Sequence, residues 1–160
     1  MKQEKVHHYS AQITWKGNQG QGTANYRGYQ RCYEIKIDNK PTLQGSADPA
    51  FLGDPSLYNP EELLVASLSA CHLLWYLHFC ADSSIIVTGY IDQPVGTMIQ
   101  TPEGKGYFSE VILRPLVTIQ SPDKIELAKQ LHHQAHDYCF IANSVNFSVK
   151  YEPSIELEVV

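Results

Sequence analysis

Hydrophobic and polar positions alternate over several stretches of the chain, and one long apolar stretch separates them near the centre. Between Tyr33 and Ile37 the apolar side chains occupy every second position, with Glu34 and Lys36 between them. A period of two residues is typical of a strand with one buried face. Patterns of this kind predict a strand over residues 5–16, a strand or a strand pair over 23–37, and single strands over 85–100 and 105–120 with a turn at 103–104. One or two strands are expected over 145–160, with a break at Pro153.

The apolar stretch from Leu63 to Leu77 predicts a central helix. Its start is marked by Asn59 at the N-cap, Pro60 at the first helical position and Glu62 at the third position of a capping box. The helix is expected to end near residues 81–82. A second helix is expected to begin at residues 121–123 and to reach about residue 136. Strands and helices in this order predict an α+β fold with a single domain over residues 1–160.

Residues 38–58 carry several prolines and glycines and are expected to form a long irregular connection. Connections of that length in compact domains are often functional.

A membrane span over residues 63–81 is the alternative to a core helix. The length fits, but Ser67, Ser69, His72 and His78 interrupt the apolar sequence, and no other part of the chain resembles a membrane protein. A helix buried on all sides explains the same pattern. The first residues are polar, so no signal peptide is expected, and the cytoplasm is the expected location.

Composition narrows the possible partners. The chain has 160 residues, 43% of them hydrophobic and 18% charged, which is typical of one globular domain with its own core. The net charge of -5 gives no reason to expect nucleic acid or an anionic membrane as a partner. A single small sheet cannot cover all sides of the central helix, so a homodimer with this helix near its centre is expected.

Four cysteines, at positions 32, 71, 80 and 139, are the candidate reactive groups. In a reducing compartment they are expected to be free thiols rather than structural disulfides. Cys80 is expected in the core and Cys32 in a strand. Cys71 lies inside the apolar helix, and Cys139 follows the second helix. A buried thiol alone is usually a small hydrophobe, but with a second thiol and a charged pair it becomes a redox catalyst.

Two motifs carry a resemblance to a known family. The run from Asn59 to His72 and the later run from Cys139 to Val145 resemble the signatures of the OsmC/Ohr family, the osmotically induced and organic hydroperoxide resistance proteins. The resemblance implies an OsmC-like fold, with antiparallel sheets wrapped around central helices in an intertwined homodimer. It also implies a thiol peroxidase without cofactor or metal. Cys71 would be the peroxidatic cysteine, Cys139 the resolving one, and Glu61 the glutamate that pairs with an arginine.

The same resemblance implies organic hydroperoxides as substrates, with hydrogen peroxide as a further substrate. The reductant would be an external thiol, either a lipoyl-type dithiol or another thiol such as glutathione. A cation is needed in any case, because burial in an apolar helix disfavours the thiolate that attacks peroxide.

Which arginine supplies that cation is open. Arg31 shares the face of Tyr33 and can point inward if the strand extends to it, so Arg31 is favoured. Arg27 has the same parity, but Gly28 interrupts the strand between them. The segment 26–31 also departs from the Gly-Gly-Arg loop of typical Ohr proteins.

Glu61 and Cys71 are ten residues apart, which is about 15 Å along a continuous helix. An arginine cannot comfortably touch both, so the site is expected to be shared between two chains unless the helix breaks between Ser67 and Ala70.

Two other classes of function remain. One is a non-catalytic stress-response or small-ligand-binding protein of the same fold. The other is a zinc protein that uses His132, His136 and a cysteine, since two histidines four residues apart on a helix can bind zinc. No acidic residue follows them in the pattern of a helical zinc protease, so a surface role is expected for these histidines.

Overall fold

The computed structural model describes residues 4–159. Contacts between residues divide the chain into two compact units, one that ends at Leu63 and one that begins at Leu64. The chain contains two α-helices and nine strands over the described residues, and the predicted α+β class is confirmed.

The first unit is built on a three-stranded antiparallel sheet. Its strands, in the order β1-β2-β3, are β1 (Gln12–Trp15), β2 (Tyr33–Lys36) and β3 (Leu43–Gly45). The predicted strands were too long, since residues 5–11 and 23–32 are not strands. The Trp15 indole donates to the Gln30 carbonyl at 2.8 Å, and Gly17 and Gln30 are also joined through their backbones. These hydrogen bonds join the two ends of the connection between β1 and β2, which consists of turns. The pattern that predicted a strand over residues 23–32 therefore belongs to turns.

The connection over residues 38–58 is more regular than expected. It contains β3 and a 3-10 turn, Pro49–Phe51, which Asp48 caps by accepting a hydrogen bond from the Ala50 amide at 2.7 Å. A Cβ at Gly53 would collide with the Ala47 carbonyl, so the return of the chain requires glycine there.

The central helix is confirmed as α1 (Pro60–Asp82). The predicted capping box is formed: the Glu62 amide donates to Asn59 Oδ1 at 2.8 Å, and the Asn59 amide donates to Glu62 Oε2 at 3.1 Å. In length and composition alone α1 would suit a membrane, a test that the core helix of a soluble protein also passes. Leu68, Tyr76 and Cys80 are buried in the packing of the second unit, so this packing accounts for one side of the apolar helix, whereas Leu74 and Leu77 on another side are exposed.

The second unit contains two further three-stranded sheets. They have the orders β4-β7-β9 and β5-β6-β8. The strands are β4 (Val87–Asp92), β5 (Val95–Gln100), β6 (Gly106–Leu113), β7 (Pro115–Ile119), β8 (Ser148–Tyr151) and β9 (Ser154–Leu157). The predicted break at Pro153 separates β8 from β9. Each sheet combines one antiparallel pair with one parallel pair, β7 with β9 and β6 with β8.

The single strands predicted over residues 85–100 and 105–120 were wrong, because each is two strands in different sheets. Asp92 stabilises the place where the chain passes from one sheet to the other. One of its carboxylate oxygens accepts from the Arg114 amide at 2.6 Å, and the other accepts from the Ser69 hydroxyl at 2.5 Å. Both chain segments therefore turn at the same place, next to α1.

The second helix, α2 (Ile125–Tyr138), follows a 3-10 turn, Pro122–Lys124. Its buried residues are Ala128, Leu131, His132 and Ala135. These positions have the spacing of one helical face. That face joins α1, β4 and β7 in the larger core cluster of the second unit.

Candidate functional site

The two cysteines of the sequence motifs lie together in the second unit. Cys71 is half-buried in the middle of α1, and Cys139 is buried at the residue that follows α2. Both are free thiols, and Cys71 is near enough to Cys139 to contribute to the raised pKa of the Cys139 thiol. Two neighbouring free thiols on separate elements are candidates for a disulfide, which requires Cα atoms about 4.4–6.8 Å apart.

The environment of Cys139 favours the protonated thiol. Burial raises its pKa to about 11, although the Ala142 amide donates to Sγ at 3.4 Å and acts in the opposite direction; the neighbouring Cys71 raises the pKa further. A protonated thiol is a poor nucleophile. Cys139 is therefore a poor candidate for the first attack on a peroxide.

Aromatic packing brings the end of α2 to α1. Trp75, one turn beyond Cys71, packs against both residues that flank Cys139, with ring centroids 5.3 Å from Tyr138 and 5.5 Å from Phe140. Phe79 extends this cluster, stacking on Trp75 at 5.5 Å. The cluster lies on the same side of α1 as the pair of thiols, so apolar contacts carry part of their alignment.

Arg31 lies before β2 rather than in it, so the expectation that it points inward from a strand was wrong. Its guanidinium donates to the Tyr29 carbonyl at 2.6 Å and to the Tyr26 carbonyl at 2.5 Å. It also lies over the rings of Tyr29 and Tyr26, at 4.1 and 4.7 Å from their centroids. Within residues 4–159 no ion pair joins Arg31 to Glu61. The cation is held by carbonyls and aromatic faces, which leave its charge unneutralised.

An open cavity of about 380 Å³ borders this arginine in the first unit. Arg27 also lines it, together with Cys32, Ser46 and Asp54. Both candidate arginines therefore face one cavity, and this geometry does not choose between them.

Glu61 lies in the first turn of α1 and is half-buried. Nearby, Tyr33 has a pKa raised by burial and by the charge of Glu61. Tyr33 also lines an apolar groove of about 390 Å³ with Ile13, Ile35, Pro60 and Leu63. The first unit therefore places a carboxylate beside an apolar surface that suits a hydrocarbon group.

Helix α1 has no break between Ser67 and Ala70. Glu61 and Cys71 are thus separated by about 15 Å along its axis. Because the helix is continuous, it does not bring Glu61 and Cys71 of the same chain together.

A buried histidine pair was missed by the sequence reasoning. His132 was expected at the surface, but it is fully buried, and so is His72. His72 Nε2 and His132 Nδ1 are 3.0 Å apart and share a hydrogen bond, and the two rings are parallel to within 8°. The signal was present in the sequence, because His132 falls on the same helical face as Ala128, Leu131 and Ala135.

The zinc hypothesis finds no support in the geometry. Among the residues that the structure describes, no three histidine, cysteine or acidic side chains are grouped closely enough to hold a metal ion. His133, next to the buried pair, is bound at the surface to the Tyr151 hydroxyl at 2.9 Å.

Comparisons with known proteins identify the family. Residues 53–154 match the family model of the OsmC-like proteins. A solved structure of an OsmC-like protein of unknown function from Vibrio cholerae is 33% identical, with a TM-score of 0.82 over 93% of this chain and 100% of its own. No curated protein matches the chain.

More distant structures share the fold. An organic hydroperoxide resistance protein from Elizabethkingia anophelis is 18% identical, covers 98% of this chain and 100% of its own, and has a TM-score of 0.70. The hydroperoxide resistance protein OhrB from Bacillus subtilis is 20% identical over 91% of this chain and 98% of its own, with a TM-score of 0.59.

Proposed function

Because this chain belongs to the family of OsmC-like proteins, we propose that it is a thiol-dependent peroxidase that reduces organic hydroperoxides to alcohols. The observation that carries the proposal is the pair of free, neighbouring thiols, Cys71 on α1 and Cys139 at the end of α2. Two structures of the same fold are named organic hydroperoxide resistance proteins, which supports the choice of substrate class.

The chemistry assigns a different task to each thiol. The Cys71 thiolate attacks one peroxide oxygen; a sulfur–oxygen bond forms, the oxygen–oxygen bond breaks, and the alkoxide takes up a proton and leaves as the alcohol. The peroxide gains two electrons, and Cys71 becomes a sulfenic acid. Cys139, which remains protonated until then, condenses with it to a disulfide and water. An external dithiol returns both residues to thiols and is itself oxidised to a disulfide.

Arg31 is proposed as the cation that favours the thiolate, with Arg27 as the alternative, and Glu61 as the carboxylate that orients the arginine. In support, the charge of Arg31 is held by carbonyls and rings rather than neutralised by a carboxylate. Its guanidinium has five donors, of which two are in use, and so it can still bind a carboxylate or a thiolate.

The assembly is proposed to be a homodimer in the cytoplasm. One side of α1 remains exposed although it is apolar: Leu74 is 67% and Leu77 is 37% exposed, and Ala66 and Ala70 continue the same stripe. A second copy of α1 would cover this surface, and an antiparallel approach would bring Glu61 of one chain toward Cys71 of the other.

The test is peroxide consumption by purified protein with an organic hydroperoxide and a dithiol reductant. The Cys71→Ser variant should be inactive and folded. Cys80→Ser is the matched control, because it makes the same replacement on the same helix at a thiol without a proposed role. If Cys71→Ser keeps turnover near that of the wild type, or if the wild type consumes no peroxide with any thiol, the proposed function is wrong.

A further inference from the structure

We propose that His72 and His132 are positioning residues for disulfide formation, since their hydrogen bond holds α1 and α2 in the register that joins Cys71 to Cys139. The inference rests on the proposed function, because it concerns the second step of that reaction. In that step the Cys139 sulfur attacks the Cys71 sulfenic sulfur. The sulfur–sulfur bond forms, the sulfur–oxygen bond breaks, and the hydroxyl leaves as water with the proton of Cys139.

The histidine pair lies on the same two elements as the thiols and close to them in the chain. His72 follows Cys71 on α1, and His132 precedes Cys139 by seven residues, two turns of α2. The two imidazoles are 1% and 0% exposed and share one hydrogen bond of 3.0 Å. Within residues 4–159 it is the only side-chain hydrogen bond between the two helices. A displacement of either helix along the other would therefore break this bond and misplace the thiols together.

The apolar contacts around the thiols cannot supply the same precision. Trp75 packs on Tyr138 and Phe140, but apolar attraction is non-directional and tolerates sliding. A disulfide requires Cα atoms about 4.4–6.8 Å apart and a narrow range of torsions. A buried polar contact fixes one arrangement, because any other leaves its donor and acceptor unpaired.

The rings around the pair keep it in one orientation. Tyr76 stacks on His132 with ring centroids 3.9 Å apart, and Tyr151 of β8 stacks on His72 at 5.8 Å. His136, one turn further along α2, also packs on Tyr151, with ring centroids 5.2 Å apart. Burial lowers the pKa of His72 to about 4 and that of His132 to about 3, the positive charge of a neighbouring histidine adding to the effect. Both rings are therefore neutral near pH 7, where the N–H of one ring faces the bare nitrogen of the other.

The experiment separates the two steps of the reaction. Reduced protein receives one equivalent of tert-butyl hydroperoxide. The first step, oxidation of Cys71, is followed as loss of the Cys71 thiol. The second step, formation of the disulfide between Cys71 and Cys139, is called closure and is followed as the loss of about 2 Da in intact mass. Four variants are compared: His132→Leu, His132→Asn, His132→Gln and Leu131→Ala. Asparagine places an amide group where Nδ1 lies, and glutamine places it one bond further out.

Closure should slow by about tenfold to a hundredfold in His132→Leu and His132→Gln, the loss expected from a misplacement of about 1 Å. The first step should change by less than about threefold. His132→Asn should recover closure to within about threefold of the wild type. Leu131→Ala removes buried apolar packing from the same helix, and it should lower the unfolding midpoint while leaving closure near the wild-type rate.

The proposal is overturned if folded His132→Leu closes at the wild-type rate, if His132→Asn and His132→Gln behave alike, or if Leu131→Ala slows closure equally. If His132→Leu does not fold, the two amide variants decide. A wild type that does not react with hydroperoxide would refute the proposed function only. The same variants are then equilibrated with reduced and oxidised glutathione, and the tendency of Cys71 and Cys139 to pair should follow the same order.

Discussion

Acidification should destabilise this protein well above the pH at which carboxylates titrate, because of the buried histidine pair. His72 and His132 have pKa values of about 4 and about 3, against the ordinary value of 6.5 that applies in the unfolded chain. Below about pH 6.5 the two histidines bind protons in the unfolded state but stay neutral in the folded state. The stability contributed by neutral burial is therefore present above 6.5 and is lost as the pH falls toward the folded values.

The loss of stability depends on how far the pH lies below 6.5, the pKa of histidine in the unfolded chain. Each pH unit corresponds to about 1.36 kcal/mol for one group. At about pH 5, each ring therefore lowers the free energy of unfolding by about 2 kcal/mol relative to neutral pH, and the pair lowers it by about 4 kcal/mol. A typical domain has only about 5–15 kcal/mol of stability. Tyr76, Tyr151 and His136 lie next to the pair. Among residues 4–159, no carboxylate contributes to the pKa shift of either histidine, so none offsets a positive charge there.

Urea unfolding followed by circular dichroism at about pH 7 and about pH 5 measures the effect. The double variant His72→Gln with His132→Asn is the control, since it replaces both titrating rings with amides and should lose most of the pH dependence despite a lower stability. Should wild type and double variant show the same difference between the two pH values, the argument from neutral burial fails.

Four further predictions concern the reaction, the assembly and the central helix. Cys139→Ser should permit one oxidation and then accumulate sulfenic and higher acids of Cys71; sustained wild-type turnover without over-oxidised mass would contradict its role. Arg31→Met should slow the reaction with peroxide near neutral pH and decrease the thiolate absorbance there, and unchanged values would transfer the role to Arg27. Mixed dimers of Cys71→Ser and Glu61→Ala chains should regain activity above either parent if the site is shared, whereas confirmed mixed dimers without recovery would place both residues in one chain's site or leave Glu61 without a catalytic role. Asn59→Ala should lower the free energy of unfolding by about 1 kcal/mol through loss of the capping box, and Pro60→Ala, which leaves the box in place, is the comparison.

The helices were predictable because their signals are local. Asn59, Pro60 and Glu62 mark the start of α1 within four residues, and the structure forms the box that they predict. The family resemblance, carried by the residues from Asn59 to His72, is confirmed by the match over residues 53–154. Short-range capping interactions leave such marks because they involve only neighbours in sequence.

The strands were harder, since their limits depend on distant partners. Nothing in the alternation over residues 85–100 marks the point at which β4 leaves one sheet and β5 enters another. That point is held by Asp92, whose partners Ser69 and Arg114 are 23 and 22 residues away in the chain. Pro94 and Pro115 were the local hints, as proline often stands at strand ends. The burial of His132 could be inferred from its place on the buried face of α2. Its pairing with His72 could not, because that contact depends on how α2 packs on α1, which no local pattern contains.

The backbone amide of Ala142 can report the redox state of Cys139 without an attached probe. Its N–H points at the Cys139 sulfur from 3.4 Å, at the start of the 3-10 turn Ala142–Ser144. When that sulfur changes from thiol to disulfide, its electron density and position change, and the proton directed at it should shift its magnetic resonance. One backbone signal would then report, in solution and in real time, which fraction of the protein is oxidised.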